Sequence, residues 1–191
     1  MIVESVVITL GADARPHIAP MGVIWQEGSP ILAPFRPSQT LDNLVRTGAA
    51  VINHTDDVCV FAGCLTGRRD WPVRPADRIE GRVLEGALSH QELKVERVEE
   101  DAVRPRFHCR VVHEAAHGMF RGFNRAQAAV IEAAILVSRL HLLPRDKIER
   151  EMGYLAIAVG KTAGPRETEA WGWLTAEIAA FYRQAASGGA A

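Results

Sequence analysis

The chain has 191 residues, 48% hydrophobic and 24% charged, and its 22 basic and 23 acidic side chains leave a formal charge of −1. That balance excludes a chain-wide field for nucleic acid or an anionic membrane, and three cysteines (Cys59, Cys64 and Cys109) cannot make a disulfide framework and fit a reducing compartment. No basic stretch precedes the first apolar run, which Glu4 interrupts, and the apolar stretch 126–143 carries Glu132, Arg139 and His141, so we expect no signal peptide, no membrane span and a cytoplasmic location.

Residues 2–10 are rich in β-branched side chains and stop at Gly11-Ala12-Asp13, a turn signal. Residues 16–26 predict a second strand, Glu27-Gly28-Ser29-Pro30 a turn, and 31–35 a third strand, giving a meander of the antiparallel kind. The period then changes. Leu41, Leu44 and Val45 mark one face of a helix over 38–46, with Ser38 or Thr40 as N-cap and Gly48 as its stop. Residues 49–53 and 58–62 read as strands, and 63–79, with Gly67, Pro72 and Pro75, as a surface loop. Two further strands, 93–98 and 107–112, flank an acidic turn at 99–101.

From residue 123 the pattern is helical. Asn124 and Gln127 form a capping pair for a helix reaching about residue 142. Pro144 opens a second helix that ends within 160–164, and Pro165 a third, with Trp171, Leu174, Ile178 and Phe181 on one face. Strands followed by helices predict an α+β fold. We divide the chain into a strand-rich domain over 1–120, a helical subdomain over 121–186 and a disordered tail over 187–191.

Five features carry chemical interest. His113-Glu114-Ala115-Ala116-His117 matches the zinc-hydrolase pattern HExxH, which needs a helix to set both histidines on one face. Here the preceding residues read as a strand and Gly118 follows at once, so incidental histidines at a strand end are expected, and no metal site. Cys59 and Cys64 lack a second pair and read as small buried side chains. Residues 34–43, Pro-Phe-Arg-Pro-Ser-Gln-Thr-Leu-Asp-Asn, place an arginine and two hydroxyls where a strand leads into a helix. Helix amides, Ser38 and Thr40 hydroxyls and the Arg36 guanidinium together suit a phosphate; the alternative is a capped helix with a surface arginine. His17-Ile18-Ala19-Pro20-Met21-Gly22 marks an irregular strand edge or a close approach to the backbone, and Asn53-His54-Thr55-Asp56-Asp57 a polar strand end.

Together the last three stretches resemble the FMN-binding split-barrel, flavin reductase-like superfamily, in its branch known as domain of unknown function 447. The resemblance rests on 16–22, on Pro34-Phe35-Arg36 with Thr40 and Asn43-Leu44, and on Val51-Ile52-Asn53 with Asp56-Asp57-Val58. It continues in Phe123-Asn124-Arg125-Ala126, Ile131-Glu132-Ala133 and Ser138-Arg139-Leu140.

That resemblance implies an antiparallel split β-barrel followed by a helical bundle, and a homodimer with FMN at the subunit interface. It implies phosphate contacts from Arg36, Ser38, Thr40 and Asn43, and backbone contacts to the flavin ring from Met21 and Gly22. Asn53 and Asp56 would line the pocket, and Phe35 would lie near the ring or fill the core. It also implies a flavin-dependent oxidoreductase using NAD(P)H or a pterin-type substrate of tetrahydromethanopterin-linked one-carbon metabolism. A module that holds flavin, deazaflavin or heme without turnover is the alternative. Arg125, Glu132 and Arg139, seven residues apart, form one stripe of a helix, read either as a solvated ridge or as a face for an anionic substrate or partner.

Overall fold

The computed structural model describes residues 1–188. In chain order the elements are β1 (Ile2–Leu10), β2 (Pro16–Gln26), β3 (Ser29–Leu32), α1 (Gln39–Thr47), β4 (Ala49–His54), α2 (Val58–Leu65), β5 (Val73–Pro75), β6 (Arg82–Leu84), β7 (Ser89–Glu99), β8 (Arg106–Ala116), α3 (Arg125–Val137), α4 (Arg145–Thr162) and α5 (Pro165–Gly188). They form two compact units, 1–56 with 70–120, and 57–69 with the described residues from 121 onward.

The first unit is a closed antiparallel barrel in the order β1-β2-β3-β8-β7-β4, accompanied by a two-stranded sheet, β5-β6. Glu27 and Gly28 both take positive φ (52° and 80°), the backbone of a two-residue type I′ turn, and fold β3 back on β2. β3 pairs with β2 only at Ile24–Gln26, so the stretch 16–23 is hydrogen-bonded to β1 alone. Pro20, which lacks an amide proton, is tolerated there because that edge needs no donor.

The barrel interior is filled by Val7, Val23, Leu32, Leu93, Phe107 and Cys109 together with Leu41 and Leu44 of α1. β1 is buried on both faces from Ser5 to Leu10, which explains its unbroken apolar run. α1 begins and ends where the sequence places its caps. The Ser38 hydroxyl accepts from Leu41 N–H at 3.2 Å, and Gly48 takes the left-handed conformation at φ 60°. Val45, expected on the buried face, is 71% exposed, while Asn43 is buried in its stead.

Residues 58–62 are helical, not a strand. A helix buried all round has no period to reveal it, and its apolar string mimics an interior strand. The start signal is Asp57, whose carboxylate accepts from Cys59 N–H at 3.0 Å. In the second unit α2 packs against α3 and α5. Asn124 caps α3 through Ala126 N–H (2.8 Å), but Gln127 does not reach back to complete a capping box. Its amide instead donates to Glu167 on α5 at 3.2 Å.

α3 ends at Val137, so Arg139 lies beyond the helix, and Arg125 and Glu132 are exposed on it. α5 includes Ser187 and Gly188 of the expected tail; positions 189–191 lie outside the described residues. Among the described residues no helix is long and apolar enough to cross a membrane.

All three cysteines are buried free thiols. Burial pushes Cys59 and Cys109 up to about 12, with the Asp57 carboxylate adding to the effect at Cys59. At pH 8 such a thiol is ionised in about one molecule in ten thousand, and the thiolate is the reactive form. Ellman's reagent should therefore find neither Cys59 nor Cys109 rapidly reactive in the native protein at pH 8, and all three cysteines reactive in guanidinium. A native burst of two or three thiols would contradict this packing.

Candidate functional site

The chain leaves the barrel at Leu32, keeps Ala33 and Pro34 buried, and turns Phe35 and Arg36 outward. This exit is held by the turn between β7 and β8. The Asp101 carboxylate accepts the N–H groups of Arg104 (2.6 Å) and Val103 (2.8 Å), which hold its carboxyl below the usual carboxylate range. Val103 C=O in turn accepts from Arg36 N–H at 2.8 Å. The Arg104 guanidinium donates twice to Ala33 C=O, at 3.0 and 2.9 Å, and lies 4.4 Å above the Phe35 ring. Phe35 is 58% exposed, so it does not fill the core.

The Arg36 side chain pairs with Glu100 at 3.3 Å while remaining 47% exposed. An exposed ion pair is worth about 0–1 kcal/mol, so Arg36 can exchange this partner for an anion at little cost. Arg36, Glu100, Asp101 and Ala102 line an open depression of about 370 Å³.

Two residues further on, Ser38 starts α1. Its hydroxyl takes Leu41 N–H and its carbonyl takes Asp42 N–H, leaving the amides of Gln39 and Thr40 with no carbonyl inside the helix. Together with the positive end of the helix dipole, these amides can receive an anion. Thr40 is buried on the inner side of α1. Asn43 is buried too, and its side-chain amide donates to Thr9 Oγ1 at 2.9 Å, tying α1 to β1.

The remaining predicted positions serve the barrel more than an open face. Met21 stands opposite Ser5 and packs against the core. Gly22 stands opposite Glu4, and a Cβ there would come within 2.7 Å of Ile2 Cγ2 and 3.2 Å of Glu4 Oε1. The close approach is thus from β1 side chains. Asn53 is fully buried. Its Nδ2 donates to Val6 C=O at 3.1 Å, and its Oδ1 accepts from Leu84 N–H at 2.8 Å, so the amide straps β4 to β1 and β6. Asp56 is half-buried in the turn before α2; its neighbour Asp57 is the residue that caps the helix and pairs with Arg166.

Sequence reasoning missed Asp101 and Arg104, which fix the loop bearing Arg36. Their signal was an acidic side chain two and three residues before the amides it accepts, within a turn noted only for its charge. The HExxH residues lie on β8 and its exit, so no helical turn brings His113 and His117 together as that motif requires.

The architecture is that of an antiparallel split barrel with a helical extension. The description "protein of unknown function (DUF447) N-terminal domain" matches residues 3–118, and the family's second part matches 124–176; the chain belongs to the DUF447 family. None of the curated proteins matches this sequence. Among solved structures, the FMN-bound DUF447 protein MM1853 of Methanosarcina mazei is similar at a TM-score of 0.80 and 17% identity, covering 92% of this chain and 94% of that one. The 2-nitrobenzoate 2-nitroreductase NbaA of Pseudomonas fluorescens is similar at 0.52 and 15% identity, over 60% and 64% of the two chains. BorF, the flavin reductase component of a bacterial two-component tryptophan halogenase, is similar at 0.51 and 16%, over 62% and 82%.

Replacing Asn53 with Ala leaves Leu84 N–H without its partner in the interior and removes the side-chain donor from Val6 C=O. It should lower the unfolding free energy by about 1–3 kcal/mol, read from the urea midpoint. An unchanged midpoint would show that the strap contributes nothing.

Proposed function

We propose that this chain is an FMN-binding flavoprotein that acts as a homodimer in flavin-dependent oxidoreduction. The observation that carries the reading is the α1 start, with Arg36, Ser38 and the Gln39 and Thr40 amides, set in a fold shared over 92% of the chain with a structure that contains FMN. The names of the other similar structures, a nitroreductase and a flavin reductase, support a redox role over simple storage.

In this reading Arg36 releases Glu100 and pairs with the phosphate, the Ser38 hydroxyl keeps Leu41 N–H and donates its own proton, and the two free amides complete the cradle. Thr40 supports it from the inner side of α1. Asn43 acts by fixing the helix on Thr9, not by contact with the anion. The Gly22 main chain faces the edge of β2 that β3 leaves unpaired, where N–H and C=O can meet ring heteroatoms, and Met21, paired with Ser5 of β1, holds that stretch in place. Phe35 offers an aromatic face steadied by Arg104. Asp56 stands at the pocket margin, and Asn53 holds the end of β4 from within. Bound FMN supplies hydride transfer between its N5 and a nicotinamide or an organic substrate. That step asks the protein to bind, orient and exclude water, and we assign no catalytic side chain.

The homodimer is supported by large exposed apolar side chains on the barrel unit, Val45 at 71% and Met119 at 84%, as a partner surface requires. NAD(P)H is the proposed electron donor and a pterin-type molecule the proposed substrate. Three buried free thiols support a cytoplasmic site of action.

Purified protein should be yellow, and anaerobic NADH or NADPH should bleach its flavin band. A flavin that stays oxidised with both donors would overturn NAD(P)H as the donor and favour a non-catalytic holder of flavin. Arg36→Ala combined with Thr40→Ala should weaken FMN binding at least tenfold, about 1.4 kcal/mol, by flavin fluorescence titration. Unchanged affinity in that double variant would remove the phosphate site from α1.

A further inference from the structure

The β7–β8 ribbon gathers a second set of polar side chains, independent of the α1 site. On β7, His90 and Glu92 are two residues apart and so share a face. Across the ladder Glu92 opposes His113 and His90 opposes Ala115, which puts His113 and His117 on that same face, diagonal to His90. His90 and Glu92 are fully buried.

The fourth member comes from the loop between β5 and β6. Glu92 Oε1 accepts Asp77 N–H at 2.6 Å, and its Oε2 accepts the N–H groups of Arg78 and Ile79 at 2.7 and 2.9 Å. Holding the loop in this way sets Asp77 Oδ2 3.6 Å from His90 Nε2 and 3.6 Å from His113 Nε2, while His90 Nε2 lies 3.4 Å from Glu92 Oε1. One donor atom from each of the four residues lies within 4.8 Å of the others. Ligands at about 2.0–2.1 Å around a tetrahedral zinc ion are separated by roughly 3.3–3.4 Å, close to the three distances above. A carboxylate has about four acceptor sites, so Glu92 can hold the loop and still ligate.

The proton arrangement points the same way. Arg74 Nη2 can only donate, and it lies 3.3 Å from His117 Nε2, so that nitrogen is an acceptor. His90 Nδ1, 2.8 Å from the same nitrogen, must then carry the proton between them. A neutral His90 therefore turns a bare Nε2 lone pair towards two carboxylate oxygens, from Glu92 and Asp77. Glu92 Oε1 takes Asp77 N–H and Asp77 Oδ2 takes Arg74 Nη1 at 3.4 Å, while no hydrogen lies between either oxygen and the His90 lone pair. A bound cation resolves the conflict. The His90–His117 hydrogen bond then acts as the outer contact that orients a metal-bound imidazole.

We propose that His90 Nε2, His113 Nε2, Asp77 Oδ2 and Glu92 Oε1 bind one divalent transition-metal ion of the zinc class. Two imidazoles with two carboxylate oxygens favour Zn²⁺ and its neighbours over Mg²⁺ or Ca²⁺, which prefer all-oxygen shells. Asp77, 46% exposed at its side chain, gives the ion its way in. The ion fastens the loop 76–80 to the barrel ribbon. Only His113 comes from the HExxH string, and it ligates from a strand.

The test is calorimetric titration of Zn²⁺ into chelator-stripped full-length protein, repeated with Co²⁺ for its visible tetrahedral absorption. One equivalent per chain should bind. Asp77→Asn and His113→Ala, both at positions reached by solvent and expected to fold, should each weaken Zn²⁺ at least tenfold and abolish the Co²⁺ band. Glu114→Gln, whose carboxylate meets Gln91 outside the cluster, should leave Zn²⁺ affinity unchanged. Failure to bind one saturable equivalent, or equal binding by the Asp77 and His113 variants and the parent, would overturn the assignment. Neither result depends on flavin, so the metal site and the flavin reading stand or fall separately.

Discussion

The barrel closes through a short ladder. β1 meets β4 at only three residue pairs, Val6 with Asn53, Val7 with Ile52 and Ile8 with Val51. Those three pairs turn a curled sheet into a closed barrel, and side chains reinforce them from both directions. Asn53 clamps Val6 and Leu84 across the seam, and Thr9 on β1 receives Asn43 from α1. Because α1 is anchored to the strand that closes the barrel, the helix start inherits the rigidity of that seam. A site made of backbone amides needs such support, since amides have no side-chain freedom with which to correct a misplaced helix.

The exit from β3 shows a second level of fixation. Arg104 grips Ala33 C=O and covers Phe35, while Asp101 organises the turn that carries Arg104. Only the Arg36 side chain is left lightly held. Its backbone is fixed by Val103 and its guanidinium pairs with a surface carboxylate. The loop thus combines a rigid path with an exchangeable charge, which lowers the ordering cost of receiving an anion.

Much of this was legible in the sequence where local chemistry decides structure. Ser38, Gly48, Asn124 and the Glu27-Gly28 turn each act through their own backbone neighbours, and each stands where a sequence reading puts it. The reading failed where burial on all sides erased the period. Val58–Leu65 presents an apolar string with no polar face, so its helical nature depends on Asp57 and on the helices around it. The roles of Asn43 and Asn53 also escaped. An asparagine near a supposed anion site looks available, yet both amides are engaged by partners 31 to 47 residues away. His90 and Glu92 went unnoticed for the same reason, since only strand register brings them to His113, and register is a long-range property.

Helix α2 gives the chain an order that a simple two-part division misses. It leaves the barrel's strand sequence after β4, joins the helical unit, and is followed by a return to β5. Residues 58–64 are buried in that unit. Each unit is therefore threaded through the other in sequence, and neither corresponds to one continuous stretch of chain. A segment ending near residue 120 would carry the complete barrel ladder together with an apolar helix stripped of its neighbours. The two parts are consequently bound to travel as one genetic module, and insertions are better tolerated at the exposed stretch 68–70 than any cut between strands and helices.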